Sequence, residues 1–161
     1  MAKATEKTNV MRILERGKIP HQTHSYDHGE GAVDGVTVAS RLGQPLEQVF
    51  KTLVTRGASK NYFVFVIPVA KELDLKAAAR SVEEKSVEMI RVDEINKVTG
   101  YVRGGCSPIG MKKAYRTVVD SSCLSVPTMI FSAGKIGFQV EMAPADLLSL
   151  IGADTAPITH S

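Results

Sequence analysis

The alternation of hydrophobic and polar positions predicts short helices mixed with short strands along most of the chain. Helical spacing of apolar residues predicts a first helix within Lys7–Arg16, which Gly17 is placed to end. Two apolar, β-branched runs, Phe50–Thr55 and Tyr62–Val69, predict buried strands. The turn-forming segment 57–61 between them predicts that the two strands form a hairpin.

The same reasoning predicts the remaining elements. Further helices are expected at 36–42, 75–80, 93–98 and 143–151, and a helical turn at 45–48. A short polar strand or extended segment is expected at 22–28. Further strands are expected at 87–90, 117–119, 128–132 and 136–142, the last two forming a second hairpin. Because hairpins are mixed with helices rather than alternating with them regularly, the order favours an α+β fold with a mixed, largely antiparallel sheet over a doubly wound one.

Composition is that of a folded protein rather than a disordered one. The chain has 161 residues, of which 43% are hydrophobic and 23% charged, so we expect one domain over residues 1–161. The N-terminus lacks the apolar core of a signal peptide, and the apolar runs are far shorter than the ~20 residues needed to cross a bilayer. We therefore expect a cytoplasmic protein that does not bind a membrane.

Charge and cysteine content narrow the function classes. The net charge of +3 suits contact with a few phosphates but is low for a protein that grips a long duplex. Two cysteines, Cys106 and Cys123, are too few for a disulfide framework and are not spaced as a redox pair or a zinc knuckle. Neither a phosphate-binding loop motif nor a dinucleotide fingerprint is present, and we expect no cofactor.

The segment from Gly104 to Gly110 has few side chains and can expose its own main-chain amides. Adjacent Gly104 and Gly105 permit conformations closed to other residues, and Pro108 restricts both itself and Ser107. Consecutive amides turned to one side form an anion-binding nest. The alternative is a tight connection that binds nothing.

Lys51 lies inside the predicted strand Phe50–Thr55. Strand alternation places it on one face with Val49 and Leu53, opposite Phe50 and Thr52. A lysine among large apolar residues either extends its ammonium to the rim of the sheet or points into a lined pocket. Together with a glycine-rich amide loop elsewhere in the chain, Lys51 favours the pocket.

The histidines offer further candidate chemistry, and so does Cys106 in the segment from Gly104 to Gly110, which we call the glycine loop. His21, His24 and His28 lie on a polar segment without the four ligands of a structural zinc site, so we expect no metal. Tyr26 between them can stack on a ring and donate a hydrogen bond, or simply lie at a strand edge. Cys106 could be a nucleophile, although a small apolar filler is the commoner role for such a residue.

Several of these motifs, taken in order, resemble the YbaK/EbsC family. They are Phe50–Leu53, Asp74–Lys76, Thr99–Tyr101, Gly104–Lys113 and Ser132–Lys135. The resemblance extends from about Val10 to Gly152. Its members are free-standing aminoacyl-tRNA deacylases related to the editing insertion of bacterial prolyl-tRNA synthetase. We therefore expect the YbaK-like fold, a barrel-like sheet with surrounding helices.

This resemblance implies hydrolysis of the ester that joins a mischarged amino acid to tRNA, with cysteine on tRNA(Pro) as the substrate. The residues expected to carry catalysis are Lys51, Gly104, Gly105, Cys106 and Ser107. Those expected to bind substrate are Tyr26, Thr52, Thr99, Pro108, Ser132 and Gln139. Some members have aspartate where this chain has Gln139. In the family the thiol of the cysteine substrate attacks the carbonyl, and prolyl-tRNA synthetase is a possible partner.

Two other functions are consistent with the sequence. A deacylase specific for alanine or another small amino acid would use the same residues, because pocket size is a three-dimensional property. A non-catalytic module that binds the acceptor end of tRNA or a synthetase would not need to keep both Lys51 and the Gly104–Pro108 loop.

Overall fold

The computed structural model describes residues 7–29 and 33–160. Within those residues it has five α-helices: α1 (Asn9–Arg16), α2 (Gly35–Leu42), α3 (Leu75–Ser81), α4 (Val92–Thr99) and α5 (Pro144–Ile151). The strands are β1 (Gln22–Ser25), β2 (Phe50–Gly57), β3 (Tyr62–Pro68), β4 (Glu72–Leu73), β5 (Val87–Met89), β6 (Arg116–Asp120), β7 (Met129–Ser132), β8 (Phe138–Met142), β9 (Asp154–Ala156) and β10 (Thr159–His160). Short 3-10 helices cover Leu46–Gln48 and Ser121–Ser125.

Side-chain caps and glycines set the helix ends. The Thr8 hydroxyl accepts a hydrogen bond from the Met11 amide at the start of α1, and Asp74 accepts from two amides of α3. Helices α2 and α4 end at Gly43 and Gly100, both in the left-handed conformation that glycine adopts without a steric penalty. Most predicted helix limits are therefore confirmed to within a residue or two.

The described strands form three sheets. One has the order β1-β8-β7, the second β5-β2-β3-β6-β9, and the third pairs β10 with β4. All pairs are antiparallel except β3 with β6 and β6 with β9. The predicted α+β class with a mixed, largely antiparallel sheet is confirmed, although these strands do not close into a barrel.

Hydrophobic clusters cover both faces of the five-stranded sheet. Phe50, Val66 and Val119 pack on one face with residues from β7, β8, α1 and α5. Phe65 and Ile67 pack on the other face with α3. The sheet is therefore buried on both sides, as the continuous apolar run of β3 predicts.

Strand β2 links the two larger sheets. A parallel bridge joins Val49, just before β2, to Ile130 in β7. These two residues pack with Ala39 and Val69 in a small cluster under α2. The start of β2 is thereby held beside β7, and this contact positions the candidate site.

Some elements were not predicted. Strands β4, β9 and β10 have two or three residues each, so they carry little periodic signal. The second hairpin is shorter than predicted, because Thr128 and residues 136–137 lie outside β7 and β8. Helix α2 begins at Gly35, one residue before its predicted start, and residues 30–32 before it lie outside the described residues.

Candidate functional site

A row of polar side chains crosses one face of the three-stranded sheet. Ser132 of β7 pairs with Gln139 of β8, and Gln139 pairs with His24 of β1. The neighbouring residues Phe131 and Val140 belong to the main hydrophobic cluster. Because successive side chains of a strand point to opposite faces, the polar row lies on the face away from that cluster.

Lys51 lies at one end of this row. Since β2 runs parallel to β7 at the Val49–Ile130 bridge, Lys51 is level with Ser132, two residues further along each strand. Alternation then directs both side chains to the face of the polar row. Lys51 is half-buried, and it forms no ion pair with any residue of the described ranges. Its ammonium is therefore available to an anionic or polar ligand.

The glycine loop contributes main-chain amides, but fewer than its sequence suggested. Gly104 has a φ of 86°, and the Gly105 amide donates to the Val102 carbonyl at 2.9 Å, which closes a turn. The amides of Gly104, Cys106 and Ser107 donate to no main-chain acceptor within the described residues. These three amides can therefore donate hydrogen bonds to an anion, whereas the Gly105 amide closes the turn.

Close main-chain packing holds the glycine loop against the β7–β8 hairpin. A Cβ at position 105 would lie 3.1 Å from the main-chain nitrogen of Ile136, so only glycine fits there without a shift. Tyr101 crosses between the two segments, and its hydroxyl donates to the Ile109 carbonyl. Its ring occupies the space next to Gly134. These contacts bring the loop to the end of β7, where the row from Lys51 to Gln139 begins.

Tyr26 and His28 border the same hairpin from the side of β1. The Tyr26 amide donates to the Gly137 carbonyl at 2.9 Å, so Tyr26 continues the pairing of β1 with β8. The His28 ring lies where a side chain of Gly137 would be, with its Cδ2 atom 2.8 Å from that Cβ position. Its Nδ1 atom is buried and has no hydrogen-bond partner among the residues that the structure describes.

Comparisons with known proteins identify the family of this chain. The family model described as aminoacyl-tRNA editing domain matches residues 30–150. A protein of Enterococcus faecalis, named as the Cys-tRNA(Pro)/Cys-tRNA(Cys) deacylase EbsC, is 42% identical over 98% of this chain and 96% of its own length. This chain belongs to the aminoacyl-tRNA editing family. It is an aminoacyl-tRNA deacylase, as the resemblance to the YbaK/EbsC proteins implied.

Solved structures support the fold of the editing family. One, named as a trans-editing enzyme for prolyl tRNA synthetase, has a TM-score of 0.82 over 98% of this chain and all of its own, with 22% identity. Another, a hypothetical protein, has a TM-score of 0.85 over 95% of this chain and all of its own, also with 22% identity. At these identities the likeness establishes the fold alone.

In this editing domain, Cys106 is half-buried beside Thr99. Burial raises the pKa of the Cys106 thiol to about 11, and a hydrogen bond with the Thr99 side chain only partly offsets this. Burial also raises the pKa of Tyr101 to about 12, with Cys106 as a second cause. A thiol with so high a pKa is a poor nucleophile near neutral pH, which favours the packing role.

Four residues predicted to contact the substrate have surroundings of another kind in the editing domain. The Thr99 hydroxyl donates to the Ile95 carbonyl at 2.8 Å and accepts from the Tyr101 amide at 3.0 Å, so it shapes the end of α4. The Thr52 hydroxyl is buried on the face of β2 that carries Phe50, and it has no hydrogen-bond partner in the described part of the chain. Buried Ser107 and Pro108 anchor the glycine loop, and the Ser107 hydroxyl accepts from the Ile109 amide. Substrate contact by these residues stays a prediction.

Gln139 forms a side-chain pair that sequence reasoning missed. Its Oε1 atom accepts a hydrogen bond from Gln44 Nε2 at 2.8 Å, although the two residues are 95 positions apart. Beside it, one oxygen of Glu141 contacts His24 Nε2 at 2.7 Å and the other accepts from Thr128. No local spacing links these residues, so only the folded chain reveals the network.

Two further expectations concern metal and membrane. Within the residues that the structure describes, no group of three His, Cys, Asp or Glu side chains is arranged to hold a metal ion. None of the described helices has the length and apolar character needed to span a bilayer.

Proposed function

We propose that this protein hydrolyses the ester bond of cysteine mischarged onto tRNA(Pro), acting in trans after the synthetase has released the product. The observation that supports this proposal is twofold: the Val49–Ile130 bridge sets Lys51 level with Ser132 at the end of β7, and the glycine loop packs on the turn that follows β7. The name of the Enterococcus relative supports the choice of cysteine.

The proposed chemistry needs no protein nucleophile. The thiol of the esterified cysteine attacks its own carbonyl carbon and loses its proton to solvent as the new C–S bond forms. The C–O bond to ribose breaks, the ribose oxygen takes a proton from water, and water later opens the cyclic thioester. Thiols attack carbonyls effectively even when only a few per cent are ionised at neutral pH.

The protein would supply orientation and charge stabilisation. Amides of Gly104, Cys106 and Ser107 would donate to the oxygen that becomes negative during attack, an effect worth roughly 3–4 kcal/mol per donor in favourable cases. The Lys51 ammonium would hold the terminal ribose or phosphate by charge and hydrogen bonds. Ser132, Tyr26 and Gln139 would position the aminoacyl group.

The decisive experiment measures deacylation of Cys-tRNA(Pro) by the wild type and by Lys51→Ala. Since Lys51 provides the positioning charge, we expect kcat/KM to fall by about a hundredfold or more, within the range for losing one electrostatic contact. Lys76→Ala, on the exposed surface of α3, is the matched control and should retain wild-type activity. Equal rates for wild type and Lys51→Ala would refute the role of Lys51.

The choice of amino acid is tested with tRNAs charged with cysteine, alanine or serine. If the substrate thiol is the nucleophile, cysteine should be released far faster than serine, because a hydroxyl is a much weaker nucleophile at neutral pH. Faster release of alanine would instead indicate a deacylase that selects by size. Association with prolyl-tRNA synthetase is a separate proposal, tested by co-purification with and without Cys-tRNA(Pro).

A further inference from the structure

Gln44 reaches the polar row from the C-terminal end of α2. Its Nε2 atom donates to Gln139 Oε1 at 2.8 Å, and Gln139 Nε2 donates in return to Gln44 Oε1 over a longer distance of 3.5 Å. Gln139 is only 5% exposed, so its amide depends on protein partners or on a ligand for its hydrogen bonds. The shorter contact uses Gln139 as the acceptor, and its carbonyl oxygen is therefore directed to the end of α2.

The main chain around Gln44 is fixed, so its side chain starts from a defined position. Gly43 ends α2 with a φ of 66°, and the Gln44 amide donates to the Ala39 carbonyl at 2.9 Å. Pro45 follows and restricts the backbone conformation of Gln44. Ala39 is fully buried in the small cluster under α2 that also holds the start of β2 beside β7. The packing that positions β2 at the candidate site therefore positions Gln44 as well.

A Gln139 amide held in this way offers a ligand a different group from the one that a free amide could offer. The terminal torsion of a glutamine side chain is broad and roughly two-fold, so an unpaired amide can turn either its oxygen or its nitrogen to a ligand. The contact with Gln44 fixes the plane of the Gln139 amide and directs its oxygen to α2, which leaves one N–H group for a ligand. An N–H group binds an oxygen acceptor and does not bind an ammonium.

We propose that Gln44 is a positioning residue that decides which group of the substrate Gln139 recognises. The inference rests on the proposed function, because it takes the aminoacyl ester to lie over the polar row. With Gln44 in place, Gln139 donates to an oxygen of the ester or the ribose, and the substrate ammonium gains no hydrogen bond from Gln139. Without Gln44, the Gln139 oxygen turns to the ammonium.

The test compares two esters on the same tRNA(Pro): that of cysteine, and that of its desamino analogue, which keeps the thiol but lacks the amino group. The measured quantity is the ratio of kcat/KM for the cysteinyl ester to kcat/KM for the desamino ester. Because this ratio is compared between variants, the intrinsic reactivity of each ester cancels. Gln44→Met removes the donor at similar size, and we expect it to raise the ratio about tenfold, as for one hydrogen bond to a charged group.

Three further variants separate positioning from a structural effect. Gln48→Met is the matched control, because Gln48 lines the same cavity as Gln44 but donates to Thr128, and it should leave the ratio unchanged. Gln139→Asp places a carboxylate in the polar row and should raise the ratio at least as far as Gln44→Met does. In a Gln139→Leu background, Gln44→Met should no longer change the ratio, because Gln44 acts through Gln139.

An unchanged ratio in Gln44→Met would overturn the inference even if both rates fall, since a loss of packing alone slows both esters equally. A ratio that Gln139→Asp does not raise would also overturn it, because the amino group would then lie out of reach of position 139. Thermal melts confirm that each variant is folded, and Gln44→Leu, which also lacks the donor, replaces Gln44→Met if that variant does not fold.

Failure of the proposed function is seen separately, as a wild type that hydrolyses neither ester. The same comparison is then made with the Kd values of non-hydrolysable amide analogues of the two esters, measured by fluorescence anisotropy. The inference stands in that case only if Gln44→Met strengthens binding of the cysteinyl amide about tenfold relative to the desamino amide, and it is overturned otherwise.

Discussion

At the scale of single residues, the surroundings of Gln139 restrict what it can recognise. The side chain is buried, and its oxygen accepts from Gln44 at 2.8 Å. Family members with aspartate at this position could attract the substrate ammonium by charge, but a neutral amide cannot. The Gln139 Nε2 also donates to Gln44 Oε1 at 3.5 Å. One N–H group is left for a ligand, and it suits an acceptor such as a carbonyl or hydroxyl oxygen.

Cys106 allows a test of whether the protein itself supplies a nucleophile. Because burial raises the pKa of its thiol to about 11, the reactive thiolate is a very small fraction of the thiol at pH 7.5. We expect Cys106→Ala to keep kcat/KM for Cys-tRNA(Pro) within about threefold of wild type, since loss of a true nucleophile costs orders of magnitude more. A thousandfold loss would restore Cys106 as the nucleophile.

Alkylation checks the pKa of Cys106 directly. In a Cys123→Ala background, the iodoacetamide reaction of the folded protein should be slow at pH 8 and should accelerate as the pH rises towards about 11, because only the thiolate reacts. The same protein unfolded in urea is the control, and its rate should level off above an ordinary thiol pKa of about 8.5. Identical pH profiles of alkylation in the folded and unfolded states would mean that burial does not raise the pKa of the Cys106 thiol.

At the scale of elements, the glycine loop and the β7–β8 hairpin depend on each other for shape. Each contributes glycines at the points of closest approach, and Tyr101 packs between them. The segment 104–110 could be recognised from its sequence as an amide loop. Its contact partner could not, because main-chain packing between distant segments leaves no periodic signal.

Gly134→Ala tests this mutual support. Gly134 has a φ of 94°, and an added Cβ would lie 2.9 Å from Tyr101 Cε1. We expect urea unfolding to show a loss of about 2–3 kcal/mol, from the strained backbone together with the clash. Gly152→Ala is the matched control, since its φ is 64° but a Cβ there has nothing within 4 Å, and it should cost about 1–2 kcal/mol. Equal losses would mean that Tyr101 moves aside freely.

Local chemistry explains why most elements were predictable. Thr8, Asp34 and Asp74 cap helices through side-chain hydrogen bonds, and the stop signals at Gly43 and Gly100 act through backbone conformation. Such signals lie within a few residues of the element that they limit. By contrast, β9 and β10 exist only because they pair with β6 and β4, far away in the sequence.

At the scale of the whole molecule, buried Asp120 ties the C-terminal segment to the central sheet. One carboxylate oxygen accepts from the Ile158 amide at 3.0 Å, and the other accepts from the Ser122 amide at 3.2 Å. The Ile158 side chain is fully buried against α3 and the sheet. Asp120 thus holds β9 and β10 near the position from which β10 pairs with β4.

Replacing Asp120 measures how much its hydrogen bonds contribute to the free energy of unfolding. Asp120→Ala should lower the free energy of unfolding by about 2–4 kcal/mol, because it leaves buried amides without an acceptor. Asp120→Asn keeps one oxygen for Ile158 and should cost roughly half as much. Urea denaturation gives both values, and hydrogen exchange at the Ile158 amide should speed up most in the alanine variant. A loss in Asp120→Asn equal to that in Asp120→Ala would show that the Ile158 hydrogen bond contributes little.

The sequence by itself determined most of the element types, the α+β class, the glycine loop and the family, because caps, turns and motif order are properties of neighbouring residues. Tertiary structure alone decided that β2 lies parallel to β7 at Val49, which sets Lys51 level with Ser132. It also decided that Gln44 reaches Gln139 and that Gly105 meets the second hairpin. These contacts join positions far apart in the chain, and their register depends on how whole sheets pack, which no local pattern encodes.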